Sequence, residues 1–196
     1  MIILISGKRF SGKDTFAKVL KNILCAKLPQ KTIKISHFAD HLKCKFAKVN
    51  DLDLSQLMIN GPYKNKHRAK LIEFAQDAKM SDQNIWVKSL TKFITEQNVD
   101  ITIVPDLRFK HELNEILNFG TNPDTLNVVV TIRMQSSTTI RESRGWAFDE
   151  KIDGHISEVE LDNFEYFDFV VGNHTNNLEN IGAVAMNIVE KIICNK

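Results

Sequence analysis

The sequence predicts an α/β domain with a five-stranded parallel sheet flanked by helices. Three observations carry that prediction: five short runs rich in Ile and Val, helical periodicities between them, and a glycine-containing loop joining the first run to the first helical segment. The runs are Ile2 to Ser6, Thr32 to Ser36, Asp100 to Pro105, Asn127 to Arg133 and Phe167 to Val171. Most lack clean alternation, the pattern of strands covered on both faces. Phe16, Val19, Leu20, Ile23 and Leu24 fall on one helical face after the first run, and Trp86, Leu90, Phe93 and Ile94 do so before the third. Leu113, Ile116 and Leu117 mark a shorter helix, and Ile181, Val184, Ile188 and Ile192 the last.

Between Ala39 and Glu96 no strand is expected, only consecutive helices, which suggests a substrate-facing helical region over 37–99. From Ser136 to Asn163 the chain is polar and reads as a mobile flap, a lid over 136–164, rather than as part of the core. The core is expected in 1–36, 100–135 and 165–196, and Gly120 to Asp124 reads as a surface loop.

The chain has 196 residues, enough for one domain with a small lid, and its 43% hydrophobic and 26% charged residues match soluble globular proteins. A net charge of +2 is too small for a protein whose task is to coat a nucleic-acid polymer. Cys25, Cys44 and Cys194 share no metal-like spacing and suggest a reducing compartment. The apolar run at the N-terminus is too short for a signal peptide or a membrane span, so a complete, cytoplasmic protein is expected.

The loop Gly7-Lys8-Arg9-Phe10-Ser11-Gly12-Lys13 matches G-x-x-x-x-G-K between a strand and an amphipathic helix. Glycines let successive backbone N–H groups point inward, the helix presents its positive end, and Lys13 can reach terminal phosphates. Asp14 stands where Ser or Thr usually follows the lysine, with Thr15 next. Asp14 either holds Mg²⁺ or favours the helix start through its charge. His37 and His41 lack a third ligand, and no Ser/His/Asp or Cys/His set suggests a nucleophilic mechanism.

Ser6 to Asp14, with two basic residues inside the loop and Asp after the lysine, resembles the loop shared by animal-type phosphomevalonate kinase and the related phage and viral deoxynucleoside monophosphate kinases. Tyr63-Lys64, Arg68, Arg144-Gly145-Trp146, Ser157-Glu158, Leu161-Asp162, Phe167-Asp168 and Asn173-His174 are similar in order and spacing to phosphomevalonate kinase. Phe38-Ala39-Asp40, Val104 to Phe109, His111-Glu112 and Gly154-His155 lean toward the deoxynucleotide kinases. The resemblance implies a P-loop NTPase of the nucleoside monophosphate kinase type, with an acceptor-binding helical region and an arginine-bearing lid. It further implies ATP and Mg²⁺ as cofactors and a phosphate monoester converted to a diphosphate.

Under that resemblance Lys13, Arg108, Asp106, Arg141 and Arg144 are the expected catalytic residues, since phosphoryl transfer asks chiefly for positioning and positive charge. Gly7, Lys8, Arg9, Phe10, Ser11, Gly12, Asp14 and Thr15 would hold the donor phosphates, with Arg144, Asn173 and His174 toward the adenine. Asp106 is expected near Mg²⁺, in the second shell, or positioning Arg108. Lys43, Arg68, Lys79, Lys88, Arg108, Phe109, Arg133 and Arg141 would face the acceptor. Lys79, Lys88 and Phe109 stand where phosphomevalonate kinase has arginines, and lysine is a point charge where arginine is a planar fork. Phe109 would suit a base, so a (deoxy)nucleoside monophosphate is the expected acceptor, with 5-phosphomevalonate the alternative and a non-catalytic nucleotide switch a distant third. The partner is a small phosphate monoester, with no nucleic-acid polymer and no membrane, and the protein is expected to be a monomer or weak homodimer.

Overall fold

The computed structural model describes residues 1–59, 61–123 and 127–194. Its centre is a parallel sheet of β1 (Ile2–Gly7), β2 (Ile33–Ile35), β3 (Ile101–Leu107), β4 (Val129–Gln135) and β5 (Phe169–Gly172), in the order β2-β3-β1-β4-β5. All six residues of β1 are buried, as two-sided cover requires. Successive side chains of a strand point to opposite faces, and β1 divides accordingly. Ile3 and Ile5 pack with Phe16, Leu20 and Leu24 of α1 (Lys13–Lys27) and with Ile181, Ala185 and Ile188 of the C-terminal helix Leu178–Cys194. Ile2 and Leu4 meet Trp86, Leu90, Leu113 and Ile116 on the other face.

Four helices fill the stretch between β2 and β3: α2 (Phe38–Asn50), α3 (Leu54–Met58), α4 (Pro62–Ser81) and α5 (Ile85–Glu96). α5 covers the sheet, while Phe46, Ala47, Leu57 and Leu71 form a separate small core among α2, α3 and α4. That second core holds the helical region beyond the sheet edge. α6 (Lys110–Thr121) follows β3 and absorbs Gly120 and Thr121, which the sequence suggested as loop; Asp124 lies outside the described residues.

β1 leads away to β2, on one side of it, and β3 leads to β4, on the other. The crevice between their carboxyl ends is therefore the switch point where ligands bind in open α/β sheets. The β1–β3 register slips there, from Leu4 opposite Val104 to Ser6 opposite Leu107. Pro105, with no N–H to donate, sits in this irregularity, which turns Asp106 toward α2.

The stretch after β4 carries three short helices, α7 (Thr138–Ser143), α8 (Glu150–Asp153) and α9 (Ile156–Val159), ahead of β5 and of the final helix, α10 (Leu178–Cys194). Part of it packs against the core. Leu161 belongs to the apolar cluster that α5 and α6 form on one face of the sheet, Trp146 is buried, the Arg141 guanidinium lies 3.8 Å from the Trp146 ring centroid, and Trp146 Nε1 donates to Asp153 at 3.0 Å. Hydrophilic composition concealed a packed strap whose carboxylates pair largely with basic residues of the loop and the sheet. Among the described residues no helix is long and apolar enough to cross a membrane.

Candidate active site

The donor loop, residues 7–13, runs from β1 into α1 at the crevice. Gly7 (φ 152°) and Gly12 (φ 92°) have backbone conformations that side chains oppose, and Phe10 is left-handed at φ 60°. A Cβ on Gly12 would lie 2.4 Å from Asn173 Nδ2, which itself donates to the Ser11 carbonyl at 2.9 Å. Asn173, in the loop after β5, thus clamps the loop from below and leaves room only for glycine. Lys13 is buried, and its Nζ donates to the Lys8 carbonyl at 3.2 Å. Burial first, and then the neighbouring Arg108 charge, push its pKa down to about 8. Ser11 Oγ is buried without a partner. An unpaired hydroxyl, a destabilised ammonium and a helix start with no side-chain cap fit a phosphate chain.

The lid grips this loop with arginines. Arg141 Nε donates to the Arg9 carbonyl at 2.9 Å, and one Arg144 nitrogen donates to the Phe10 carbonyl at 3.0 Å. A second Arg144 nitrogen donates to Asn173 Oδ1 at 3.1 Å and to the Thr175 carbonyl at 2.8 Å. Three lid carboxylates answer the basic residues. Asp162 pairs with Lys8 and, at 2.7 Å, with Arg133. Asp153 pairs with Arg9 at 3.2 Å and Arg141 at 3.6 Å. Glu158 pairs with Arg108 at 2.5 Å and accepts the Arg9 backbone N–H at 3.1 Å.

Two clefts lie on either side of the crevice. On the α10 side a cleft of about 220 Å³ is lined by Gly12, Thr15, Arg144, Asn173 and Asn176. On the other side a cleft of about 280 Å³ is lined by Phe38, Leu42, Lys79, Trp86, Arg108 and Glu112. Asp106 forms part of its wall: its two oxygens accept the N–H groups of Phe38 and Ala39, each at 3.1 Å, at the start of α2. Burial raises its pKa against those bonds and the nearby His37 charge. Glu112 accepts the N–H groups of Arg108 at 2.9 Å and Phe109 at 3.1 Å, and burial pushes its pKa up to about 7. His37 bridges Asp14 at 3.4 Å and Asp40 at 2.9 Å. Burial opposes its charge, but those carboxylates carry its pKa up to about 10.

The expected residues divide. Lys13, Arg108, Asp106 and Lys79 meet at the acceptor-side cleft and the donor loop. Lys43 donates to Asp40 at 3.0 Å and stands close enough to Lys64, with Arg68, for their charges to lower the Lys64 pKa after burial has done so. Arg133 lies under the lid, bonded to Ser6 at 2.9 Å and to Asp162. Three other expected residues stand apart from these two clefts or make other contacts. Lys88 is 62% exposed, paired with Asp82 at 2.8 Å and outside the acceptor-side cleft. His174 lines a wider groove beside Arg133 and Lys8, not the cleft next to Arg144. The Phe109 ring has Lys79 Nζ 4.3 Å from its centroid and His111 stacked at 5.2 Å. Glu112, Asp153, Glu158 and Asp162 were not among the expected site residues, although Glu112, Glu158 and Asp162 stand in motifs quoted for the resemblance; apart from the local bonds of Glu112 and Asp153, their partners are distant in the chain, from 29 positions for Asp162 with Arg133 to 154 for Asp162 with Lys8.

For Mg²⁺, the Asp14 carboxylate is exposed in the first turn of α1 beside the loop and is an oxygen donor of the kind this ion prefers. Among the described residues no group of three His, Cys, Asp or Glu would hold a metal by itself. The site therefore fits an ion whose coordination is completed by phosphate oxygens and water.

A family pattern described as phosphomevalonate kinase matches residues 5–120, which spans the donor loop, the helical region and β3 with Arg108. The chain belongs to the phosphomevalonate kinase family. A phosphomevalonate kinase of Drosophila melanogaster is 31% identical over 175 residues, covering 88% of this chain and 87% of that protein. Solved structures agree on the fold. An APS kinase of Mycobacterium tuberculosis, in complex with AMPPNP and APS, superposes with a TM-score of 0.52 at 12% identity, covering 96% of this chain and 95% of that one. A gluconokinase of Sinorhizobium meliloti gives 0.52 at 11%, covering 98% and 93%.

The chain is accordingly a kinase, a phosphotransferase acting on a phosphate-bearing substrate. The expectation of a deoxynucleoside monophosphate kinase is not supported by these comparisons. The features that leaned toward that group do architectural work here. Phe38 and Ala39 bind Asp106, Glu112 caps α6, and His155 caps α9 by accepting from Ser157 N. None of these arrangements specifies an acceptor.

Proposed function

We propose that this member of the phosphomevalonate kinase family transfers the γ-phosphoryl group of ATP to the phosphate of 5-phosphomevalonate, yielding 5-diphosphomevalonate and ADP. An acceptor phosphate oxygen forms the new P–O bond as the bond between the γ-phosphorus and its bridging oxygen breaks. The observation that carries the proposal is the 31% identity to a phosphomevalonate kinase sustained over 88% of the chain, the acceptor region included.

The residues suit the reaction. The loop N–H groups and Lys13 hold the donor phosphates, and Thr15, Arg144 and Asn173 line the cleft that would take the adenosine. Bound Mg²⁺, held at Asp14 with the phosphates, would supply charge neutralisation. Arg108 stands between the two sides and follows charge toward the acceptor. Lys79 on one flank and the Lys43, Lys64 and Arg68 group on another match a substrate anionic at both ends. The lid arginines close over the loop and exclude water, which otherwise competes as acceptor.

The test is ADP release with MgATP and a panel of 5-phosphomevalonate, nucleoside and deoxynucleoside monophosphates, and no acceptor. Turnover with 5-phosphomevalonate is expected. Turnover confined to nucleotides would overturn the proposal.

A further inference from the structure

We propose that Glu158 is an internal anion: in the ligand-free protein its carboxylate occupies the position of the migrating phosphoryl group and is displaced when substrate phosphate binds. This rests on the phosphoryl-transfer reading of the site, not on which monoester is the acceptor. Glu158 is buried, and its two oxygens reach opposite sides of the crevice. One accepts from an Arg108 guanidinium nitrogen at 2.5 Å, on the acceptor side; the other accepts the Arg9 backbone N–H at 3.1 Å, on the donor loop. Its charge also acts on Lys13. A group passing from the donor loop toward Arg108 must cross this space.

The other two lid carboxylates are arranged differently. Asp162 meets the side chains of Lys8 and Arg133, and Asp153 those of Arg9, Arg141 and Trp146. Those contacts fasten the lid through side chains and leave the donor-loop N–H groups free of them. Glu158 instead takes a backbone N–H of the kind that cradles phosphate in such loops. Two anions cannot share Arg108 and that N–H at close range without strong repulsion. Phosphate binding therefore has to expel Glu158, and the carboxylate keeps the crevice closed to anions, and to productive water, until phosphates arrive.

The experiment compares wild type with Glu158→Gln and Glu158→Ala in the titration of inorganic tripolyphosphate with Mg²⁺ by calorimetry, and in ATP hydrolysis without acceptor. Removal of the competing charge should tighten tripolyphosphate binding about tenfold or more and raise acceptor-free hydrolysis several-fold. Should the alanine variant fail to fold, the isosteric glutamine decides. Unchanged or weaker binding by a glutamine variant that melts like wild type would overturn the proposal and leave Glu158 a support for Arg108. Failure of all three proteins to bind tripolyphosphate would overturn the phosphate-loop reading and this inference with it.

Discussion

The donor loop and the acceptor-side cleft face each other across the ends of β1 and β3, yet they are built by different means. The loop is a backbone device: two glycines at positive φ, an Asn173 clamp and carbonyls gripped by Arg141 and Arg144. The cleft is a side-chain device, assembled from α2, α4, α5, β3 and the turn into α6. A backbone device tolerates few substitutions and serves any nucleoside triphosphate, whereas a side-chain device can be retuned one residue at a time. The difference accounts for a loop that is plain in the sequence beside an acceptor class that the sequence leaves open and on which the comparisons favour the alternative reading.

Substitutions on the two sides should separate accordingly. The largest effect is expected from Lys13→Met, which removes the cation that tracks the donor phosphates: a fall in kcat of about three orders of magnitude, the scale seen when one transition-state donor is lost, measured by coupled ADP release. A loss confined to KM would show that Lys13 only binds. Arg108→Lys comes next, since replacing a planar fork by a point charge at the junction should cost roughly a hundredfold in kcat/KM for the acceptor. Lys79→Ala should raise acceptor KM about tenfold while leaving kcat and the KM for ATP nearly intact, the loss of a single exposed or part-buried charge contact. An equal effect on ATP would break the division between the sides.

Gly12→Ala tests the backbone side through stability. The strained φ and the Cβ clash with Asn173 should cost about 1–3 kcal/mol, seen as a lower Tm.

The smallest effects are in pH. With Lys13 lowered to about 8, kcat/KM should fall as pH rises through that value, because the free enzyme then loses its ammonium. Glu112 has a folded pKa raised to about 7 from 4.5, so the folded state binds more protons than the unfolded between those values. Its contribution is complete below pH 4.5 and is lost as pH rises through 7. Glu112→Gln, whose amide oxygen can still accept from Arg108 and Phe109, should flatten that decline in Tm. A variant whose pH dependence matches wild type would remove Glu112 from the account.

Much of the architecture was legible because local rules suffice for it. All five strands were placed within a few residues, since unbroken Ile and Val runs have few other uses than a two-sided sheet. The donor loop was legible because its conformation is written in consecutive residues. The packing of the lid was not legible because its apolar residues, Trp146 and Leu161 among them, are scattered among polar ones without a clear period, and their contacts are with Arg141 and the cluster on one sheet face. The surroundings of Lys88 and Phe109 were illegible for a related reason. Position in a motif does not say which way a side chain turns, and Lys88 pairs with Asp82 while Phe109 meets Lys79.

By itself the sequence determined a parallel α/β sheet, a phosphate loop with Lys13 at its head and a helical insertion, because each is encoded by short-range periodicity or contiguous residues. Only the tertiary structure decided that Asp106 holds α2 by two backbone bonds, that Glu112 fixes the turn bearing Arg108, and that Glu158 joins Arg108 to the donor loop. Asp106 meets α2 across 68 and 67 positions and Glu158 meets Arg108 across 50, while Glu112 acts within four but gains its raised pKa from burial by the assembled core. Contacts and desolvation of that kind exist only after the chain has packed, and no spacing along the sequence announces them.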